Sequence, residues 1–363
     1  MASEQQPMTI IKPRQGLLPR ETRQQLMRLL RYGLGGLVIV AIVWTLLNTG
    51  AISTWYGQWG VVLRQALVTG VLVGSVFGLV AMGLTLIFGV LHIINFAHGA
   101  LLTVGMYITF TLFESFNVDP YLSVFVTIPA LFILGIIIQR LIIHPARNAP
   151  GHNQLLLTLG LALFIENALL VGFTATPRFI RLSYARDEFS LGPITLDFPL
   201  RVFGTTVTLE KLAAFIFALL LTGVLYFILQ RTDLGKAIRA TAQDKEGAAL
   251  VGIDIDRISM ITFGIGTACV GAAAALVLPF LQVDPVAGNA FNITAFVIVV
   301  LGGMGNVLGA LIGGLIIGLT QELWVVLPVV LPFPFPSSTK LLSVFIVFVL
   351  VLFFRPQGIL GKK

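Results

Sequence analysis

Between Gly33 and Phe354 the chain is a succession of apolar runs, most of them about 20 residues long, which is the length of helix that crosses the hydrocarbon core of a bilayer. In hydrocarbon each backbone N–H and C=O must find a partner within the protein, so segments of this kind are confined to helices. Hydrophobic residues make up 57% of the chain and charged residues 11%, with a mean hydropathy of +0.97. An ordinary soluble domain is about a quarter charged. The expected fold is all-α: a polytopic integral membrane protein with about nine membrane segments, including broken or re-entrant half-helices.

The net charge of +7 would suggest nucleic acid in a soluble protein. Here the excess lies beside the apolar runs, where cytoplasmic loops collect Lys and Arg, so it reports orientation and no nucleic-acid partner is expected. Residues 1–32 carry Lys12, Arg14, Arg20, Arg23, Arg28 and Arg31 against Glu4 and Glu21, the pattern of a basic cytoplasmic tail. The run from Gly33 to about Ile52 lacks a clear small-x-small cleavage site and reads as a retained helix. Further spans are expected near 65–91, 99–115, 121–142, 154–173, 211–229, 258–281, 294–322 and 340–354. With the tail inside, the segments around Arg140–Arg147 and Arg231–Arg257 fall inside and the polar loop Thr174–Glu210 outside. The domain reading is a tail (1–32), an additional helix with its external loop (33–60) and a main membrane domain (61–361).

Two interruptions stand out. Within Gly83–Thr109 a membrane-length apolar stretch is broken by Asn95, His98 and Gly99. A polar side chain or bent backbone at that depth is costly unless it faces a cavity or is buried in protein. His98 can therefore line a path or shape the break, or it can be a packing histidine that donates to a backbone carbonyl; for Asn95 the same alternatives hold. The second interruption is Leu301-Gly302-Gly303-Met304-Gly305-Asn306. Read as a turn between two half-helices, it places the basic C-terminus inside, and glycine reaches positive φ at little cost. The rival is one long tilted helix that uses glycine for packing. Paired interruptions in the two halves of a transporter point to its path, so Asn95, His98, Gly99, Gly302, Gly303, Gly305 and Asn306 are the candidate path residues.

Arg231–Arg257 holds the densest charge in the chain. Its small residues favour a helix over about 237–252, with Asp244, Lys245 and Glu246 on the polar face and Gly252 ending it. Such a helix either docks into a groove on a partner or lies solvated at the membrane surface.

Four ordered motifs, NFAHG (Asn95–Gly99), RATAQDKEGAALVGID (Arg239–Asp254), VLGGMGNVLGALIGG (Val300–Gly314) and RPQGILG (Arg355–Gly361), together resemble the permease subunits of branched-chain (hydrophobic) amino-acid ABC importers. The resemblance covers roughly 60–361. It implies that the element marked by Ala242, Ala248 and Gly252 is a coupling helix, with Arg239, Asp244, Lys245 and Glu246 contacting an ATPase. It also implies a second permease subunit, two cytoplasmic ATP-binding subunits and an extracytoplasmic binding protein. ATP and Mg would sit on those partners and no cofactor on this chain. Both termini would lie on the cytoplasmic side of a bacterial-type inner membrane, and transport would proceed by alternating access. The substrate would be a branched-chain or other neutral amino acid, with urea or short amides as the alternative within the family. Many relatives carry an acidic residue after the NFAHG glycine, where this chain has Ala100.

Other chemistry is thinly represented. The chain has no GxxxxGK[ST], GxSxG or HExxH, so neither ATP cradling nor hydrolysis is expected of it, and no catalytic or metal-binding residue is assigned. Cys269 stands alone in an apolar run and reads as a core residue. Glu166 is the most expensive residue within a span, and Glu322 and Arg64 lie near span ends where long side chains reach the interface. An ion-coupled transporter using Glu166 or His98, a passive channel and a membrane enzyme are the rival readings.

Overall fold

The computed structural model describes residues 52–180, 182, 189–191, 194–196, 200–202, 205–330, 337–355 and 357–361. The tail at 1–32 and most of the additional helix lie outside them. The chain divides into two units, Met1–Gly60 and Val61–Lys363, and the helical bundle belongs to the second.

Eleven α-helices occur among the described residues: α1 (Ile52–Leu91), α2 (His98–Phe116), α3 (Pro120–Ile138), α4 (Gly151–Phe173), α5 (Leu209–Arg231), α6 (Asp233–Gln243), α7 (Lys245–Leu250), α8 (Ile255–Val277), α9 (Gly288–Gly302), α10 (Val307–Val330) and α11 (Lys340–Phe354). Seven helical stretches are long and apolar enough to cross a membrane, and α9 and α11 are shorter apolar helices. The apolar run 294–322 is two helices, α9 and α10, in keeping with its reading as two half-helices joined by a glycine turn. Gly303 (φ +99°) and Gly305 (φ +84°) make the turn between them, in a backbone region that disfavours any residue with a Cβ. The loop between α4 and α5, expected only to be polar, carries two antiparallel hairpins, β1 (Phe189–Leu191) with β2 (Ile194–Leu196) and β3 (Leu200–Val202) with β4 (Thr205–Val207). Arg178 anchors this loop: its backbone bridges to Val283 and its guanidinium lies over Phe110 and Phe173.

Small residues decide how the helices meet. Lipid tails are as apolar as leucine, so helices in a bilayer gain most by approaching until their backbones are in van der Waals contact. Along α1, Gly70, Gly74 and Gly78 face Gly314, Leu315, Gly318 and Leu319 of α10 with no room for a Cβ at the glycines. On α8, Gly266 meets Gly83 of α1, Thr267 meets Gly135 of α3, and Gly271 and Ala274 meet Gly105 of α2. In consequence 78% of the spanning window of α1 and of α8 is buried, against 11% for α4. α1 and α8 form the centre, and α4 turns most of its apolar side chains outward.

Gly314→Leu is expected to lower the thermal unfolding midpoint of the purified protein, with an overpacking cost of about 1–3 kcal/mol. Gly160 on α4 has nothing within 4 Å of where its Cβ would be. Gly160→Ala should leave the midpoint unchanged or raise it slightly. Scanning fluorimetry in detergent checks the contrast.

Candidate transport site and coupling surface

The interruption after α1 is real. The helix ends at Leu91, His92 adopts φ +60°, and residues 92–95 run without regular structure before α2 begins at His98. Every bend of this kind frees backbone groups that water cannot reach. Asn95 repairs one of them, its Oδ1 accepting from the Ala97 N–H at 3.1 Å. Thr158 of α4 serves two more: its hydroxyl accepts from the Phe96 N–H at 3.2 Å, and its one proton is shared between the Ile94 carbonyl at 3.2 Å and the Leu155 carbonyl of its own helix at 3.0 Å. Asn292 of α9 donates from Nδ2 to the Phe96 carbonyl at 3.0 Å. Sequence reasoning does not single out Thr158 or Asn292. Their signal is a polar side chain inside an apolar run, which is common enough in membrane helices to carry little weight without the neighbouring break.

His98 is fully buried, and its Nε2 lies 2.9 Å from the carbonyl oxygen of Val80. It thus takes the packing arrangement, pinning the first turn of α2 to the middle of α1. Gly99 packs directly on Gly288, the first residue of α9, whose N–H donates to Thr103 Oγ1 at 3.0 Å. Two helices, α2 and the shorter α9, therefore start against each other at one buried junction. Two polar atoms of this junction, Asn95 Nδ2 and His98 Nδ1, are buried and have no hydrogen-bond partner among the described residues.

The glycine turn has a different neighbourhood from the one expected. Gly302, Gly303 and Asn306 hold the C-terminal segment: Ile359 and Leu360 donate their N–H groups to Leu301 and Gly302 carbonyls at 2.7 and 3.2 Å, and Asn306 Nδ2 donates to the Leu360 carbonyl at 3.0 Å. A Cβ on Gly303 would meet Gly361 at 2.6 Å. Gly305 is exposed and approaches Gly89 near the end of α1. The partner of the Asn95–Gly99 break is thus the start of α9 at Gly288. The turn that ends α9 is instead a clasp for the RPQGILG segment, because the turn's free carbonyls and that segment's free N–H groups satisfy each other.

The charged segment also departs from expectation. The helix expected over 237–252 is two helices, divided at Asp244, whose extended backbone (φ −153°, ψ 107°) ends α6 and whose side chain accepts from the Gly247 N–H at 3.1 Å to cap α7. Thr232 and Asp254 cap α6 and α8 in the same way. Ala248 is buried and Ala242 partly buried, both turned toward the chain's own bundle. Arg239 donates to the Leu229 carbonyl. Asp244, Lys245 and Glu246 are exposed, and so is Gly252, which has φ +87°. Leu250 and Val251 are aliphatic yet 89% and 77% exposed. Lys245 is exposed as a residue, yet its ammonium is drawn against the bundle, 3.5 Å from the Leu91 carbonyl that ends α1. Loss of hydration there lowers its pKa.

Glu166 is half-buried on α4 and forms no ion pair among the described residues. No group of three or more His, Cys, Asp or Glu that could hold a metal occurs among the described residues.

A bundle of spanning helices around a broken, internally repaired segment, with a capped helical pair projecting apolar side chains from one end, has the architecture of a membrane transport component. The family described as "Branched-chain amino acid transport system / permease component" matches residues 66–354, and the chain belongs to it. It is 31% identical to the high-affinity branched-chain amino acid transport system permease protein BraD of Pseudomonas aeruginosa, over 82% of this chain and 95% of that one. It is 30% identical to the corresponding LivH protein of Escherichia coli strain K12 over the same shares of each. A probable branched-chain amino acid transport permease protein, LivH of Methanocaldococcus jannaschii, is 31% identical over 68% of this chain and 76% of its own length. No solved structure matches. The chain is a membrane-embedded permease, a transport component and not a catalytic enzyme.

Replacing His98 by Leu, which is close to it in volume, removes the bond to Val80. A loss of about 1 kcal/mol of stability is expected, measured as a lower unfolding midpoint. Thr158→Val strands the Phe96 N–H and should cost more, about 1–3 kcal/mol.

Proposed function

We propose that this chain is the permease subunit of an ATP-driven importer for branched-chain or other neutral amino acids. It would pair with a second permease subunit, two cytoplasmic ATP-binding subunits and an extracytoplasmic binding protein. ATP and Mg belong to the ATP-binding subunits, and this chain holds no cofactor of its own. The α6–α7 end and both termini face the cytoplasm, and the membrane is the cell's inner membrane.

The observation that carries this reading is the protruding Leu250–Val251 tip. Exposed aliphatic side chains at the end of a capped helix are disfavoured in water and suited to a groove on another protein. In this reading the ATPase grips Leu250 and Val251 and is framed by Lys245, Glu246 and Gly252. Asp244 keeps the tip rigid, while Ala242, Ala248 and Arg239 fasten it to the bundle. Lys245 couples the tip to the end of α1, where the break begins. ATP-driven displacement of the tip would then reach Asn95, His98 and Gly99 through rigid helix and one polar contact. Opening the junction exposes Asn95 Nδ2 and His98 Nδ1 to water or cargo, so their lack of a protein partner suits a seal that must also part. Alternating access follows if the Gly99–Gly288 contact closes in one state and separates in the other. The turn at Gly302–Asn306 acts from its place at the end of α1, where Gly305 lies beside Gly89.

Leu250→Asp combined with Val251→Asp is expected to reduce binding-protein-stimulated ATP hydrolysis of the reconstituted complex at least about tenfold, equivalent to about 1.4 kcal/mol of lost contact. Assembly-independent folding of the permease should persist. Unchanged stimulation would remove the assignment of the tip. Leucine, valine and urea compared as ligands distinguish amino-acid import from amide import, and uptake that proceeds on a proton gradient without ATP would replace this reading with an ion-coupled carrier.

A further inference from the structure

On the side of the bundle where the β-hairpins join, a cavity of about 340 Å³ opens between α1, the start of α5, the segment after α8, and helices α9, α10 and α11. Its size lies at the small end of the range of about 300–1,000 Å³ typical of small-molecule pockets. Phe77, Phe280 and Phe291 supply its apolar wall, and Phe77 and Phe291 meet edge to face with centroids 5.6 Å apart. Three charged side chains reach the same space: Lys211, Glu322 and Lys340. Glu322 and Lys340 form an ion pair at 2.9 Å, with side chains 22% and 37% exposed. The Lys211 ammonium has no ion pair or hydrogen bond with any described residue. Near a span end, Glu322 is expected simply to reach the interface; instead it turns to a cavity.

The lining combines one carboxylate, two ammonium groups and three aromatic rings. An anion alone would be drawn to the lysines and repelled by Glu322, whereas a cation alone would face the reverse. A zwitterion satisfies all three, with its carboxylate toward Lys211 and Lys340 and its ammonium toward Glu322. The remaining apolar wall then takes an aliphatic side chain. Along the chain the lining lies within one helical turn of residues that hold the junction: Phe291 precedes Asn292, which holds the Phe96 carbonyl, and Phe77 lies three residues before Val80, which holds His98.

We propose that this cavity is a receiving site for an aliphatic α-amino acid, occupied after release from the binding protein and before the Gly99–Gly288 junction parts. The proposal rests on the reading of the chain as an amino-acid importer and adds the residues that take the cargo: Glu322 for the ammonium, Lys211 and Lys340 for the carboxylate, and Phe77 and Phe291 for the side chain. Binding there is weak by construction. The ligand must share Lys340 with Glu322, and strong binding would hold cargo back from the next step.

The test uses the full-length permease complex in lipid nanodiscs and a leucine analogue bearing a side-chain diazirine. After illumination, labelled peptides are mapped by mass spectrometry, and leucine uptake by the same wild-type complex is measured in vesicles. Labels on segments around Phe77 and Phe291 are expected to be competed by leucine but not by isopentylamine, which lacks the carboxylate, or by isocaproate, which lacks the ammonium. Glu322→Gln and Lys211→Met should each reduce labelling at least about tenfold. Lys211→Met leaves the Glu322–Lys340 pair intact, so it decides the matter if Glu322→Gln fails to fold. Labelling that leucine does not compete, or that anionic phospholipid suppresses while leucine does not, overturns the site. If uptake persists in that case, the importer reading stands and only the cavity assignment falls. Competed labelling without any uptake supports the site and overturns import. Absence of both overturns both.

Discussion

Close backbone contact between helices is the interaction on which this structure depends. In a bilayer, apolar side chains gain little by leaving lipid, so association rests on packing and on polar contacts that lipid cannot supply. α8 places Gly266, Thr267, Gly271 and Ala274 against α1, α2 and α3, and α1 places Gly70, Gly74 and Gly78 against α10. These contacts hold the ends of interrupted helices near enough for short side chains to reach them. Without Gly99 on Gly288, Thr103 could not receive the Gly288 N–H, nor Asn292 reach Phe96.

The same closeness explains how a bent chain survives where no water is available. Four backbone groups freed between Ile94 and Ala97 are taken up by Asn95, Thr158 and Asn292, which come from three different helices or their connections. The junction built this way consists of neutral hydrogen bonds, each worth about 1 kcal/mol net, between separate helices. The ion pair of Arg147 with Asp256 at 2.6 Å lies at exposed ends of helices, outside this junction.

Much of the architecture was legible from residue type and run length. Helices α2, α3, α4, α5, α8 and α11 fall where the apolar runs lie, because membrane thickness and helical rise together set their length. The break at Asn95 and the turn at Gly302–Asn306 were legible too, since polar and glycine residues interrupt otherwise continuous runs. Less visible was the split at Asp244. Its small neighbours favour helix on either side, and only its capping bond to Gly247 shows that the chain restarts there. The assignment of outward and inward faces on α6–α7 was also illegible, because alanines such as Ala242 and Ala248 suit a partner's groove and the chain's own bundle equally. Leu250 and Val251 are ordinary apolar residues in the sequence, and only their exposure sets them apart.

What the sequence by itself determined is the class: an all-α membrane permease, with ordered motifs specific enough to indicate its family, two interruptions and a charged segment between spans. Those properties are local, fixed by hydrophobicity, helix length and the conformational range of glycine. Only the tertiary structure decided which interruption meets which. It set the Asn95–Gly99 break against Gly288 and the Gly302–Asn306 turn against the C-terminal segment, made His98 a buried tie to Val80, and gathered Lys211, Glu322 and Lys340 from three helices around one cavity. The reason is physical: pairing of polar groups between distant segments depends on how closely their helices approach, and no periodicity within a single segment records that distance.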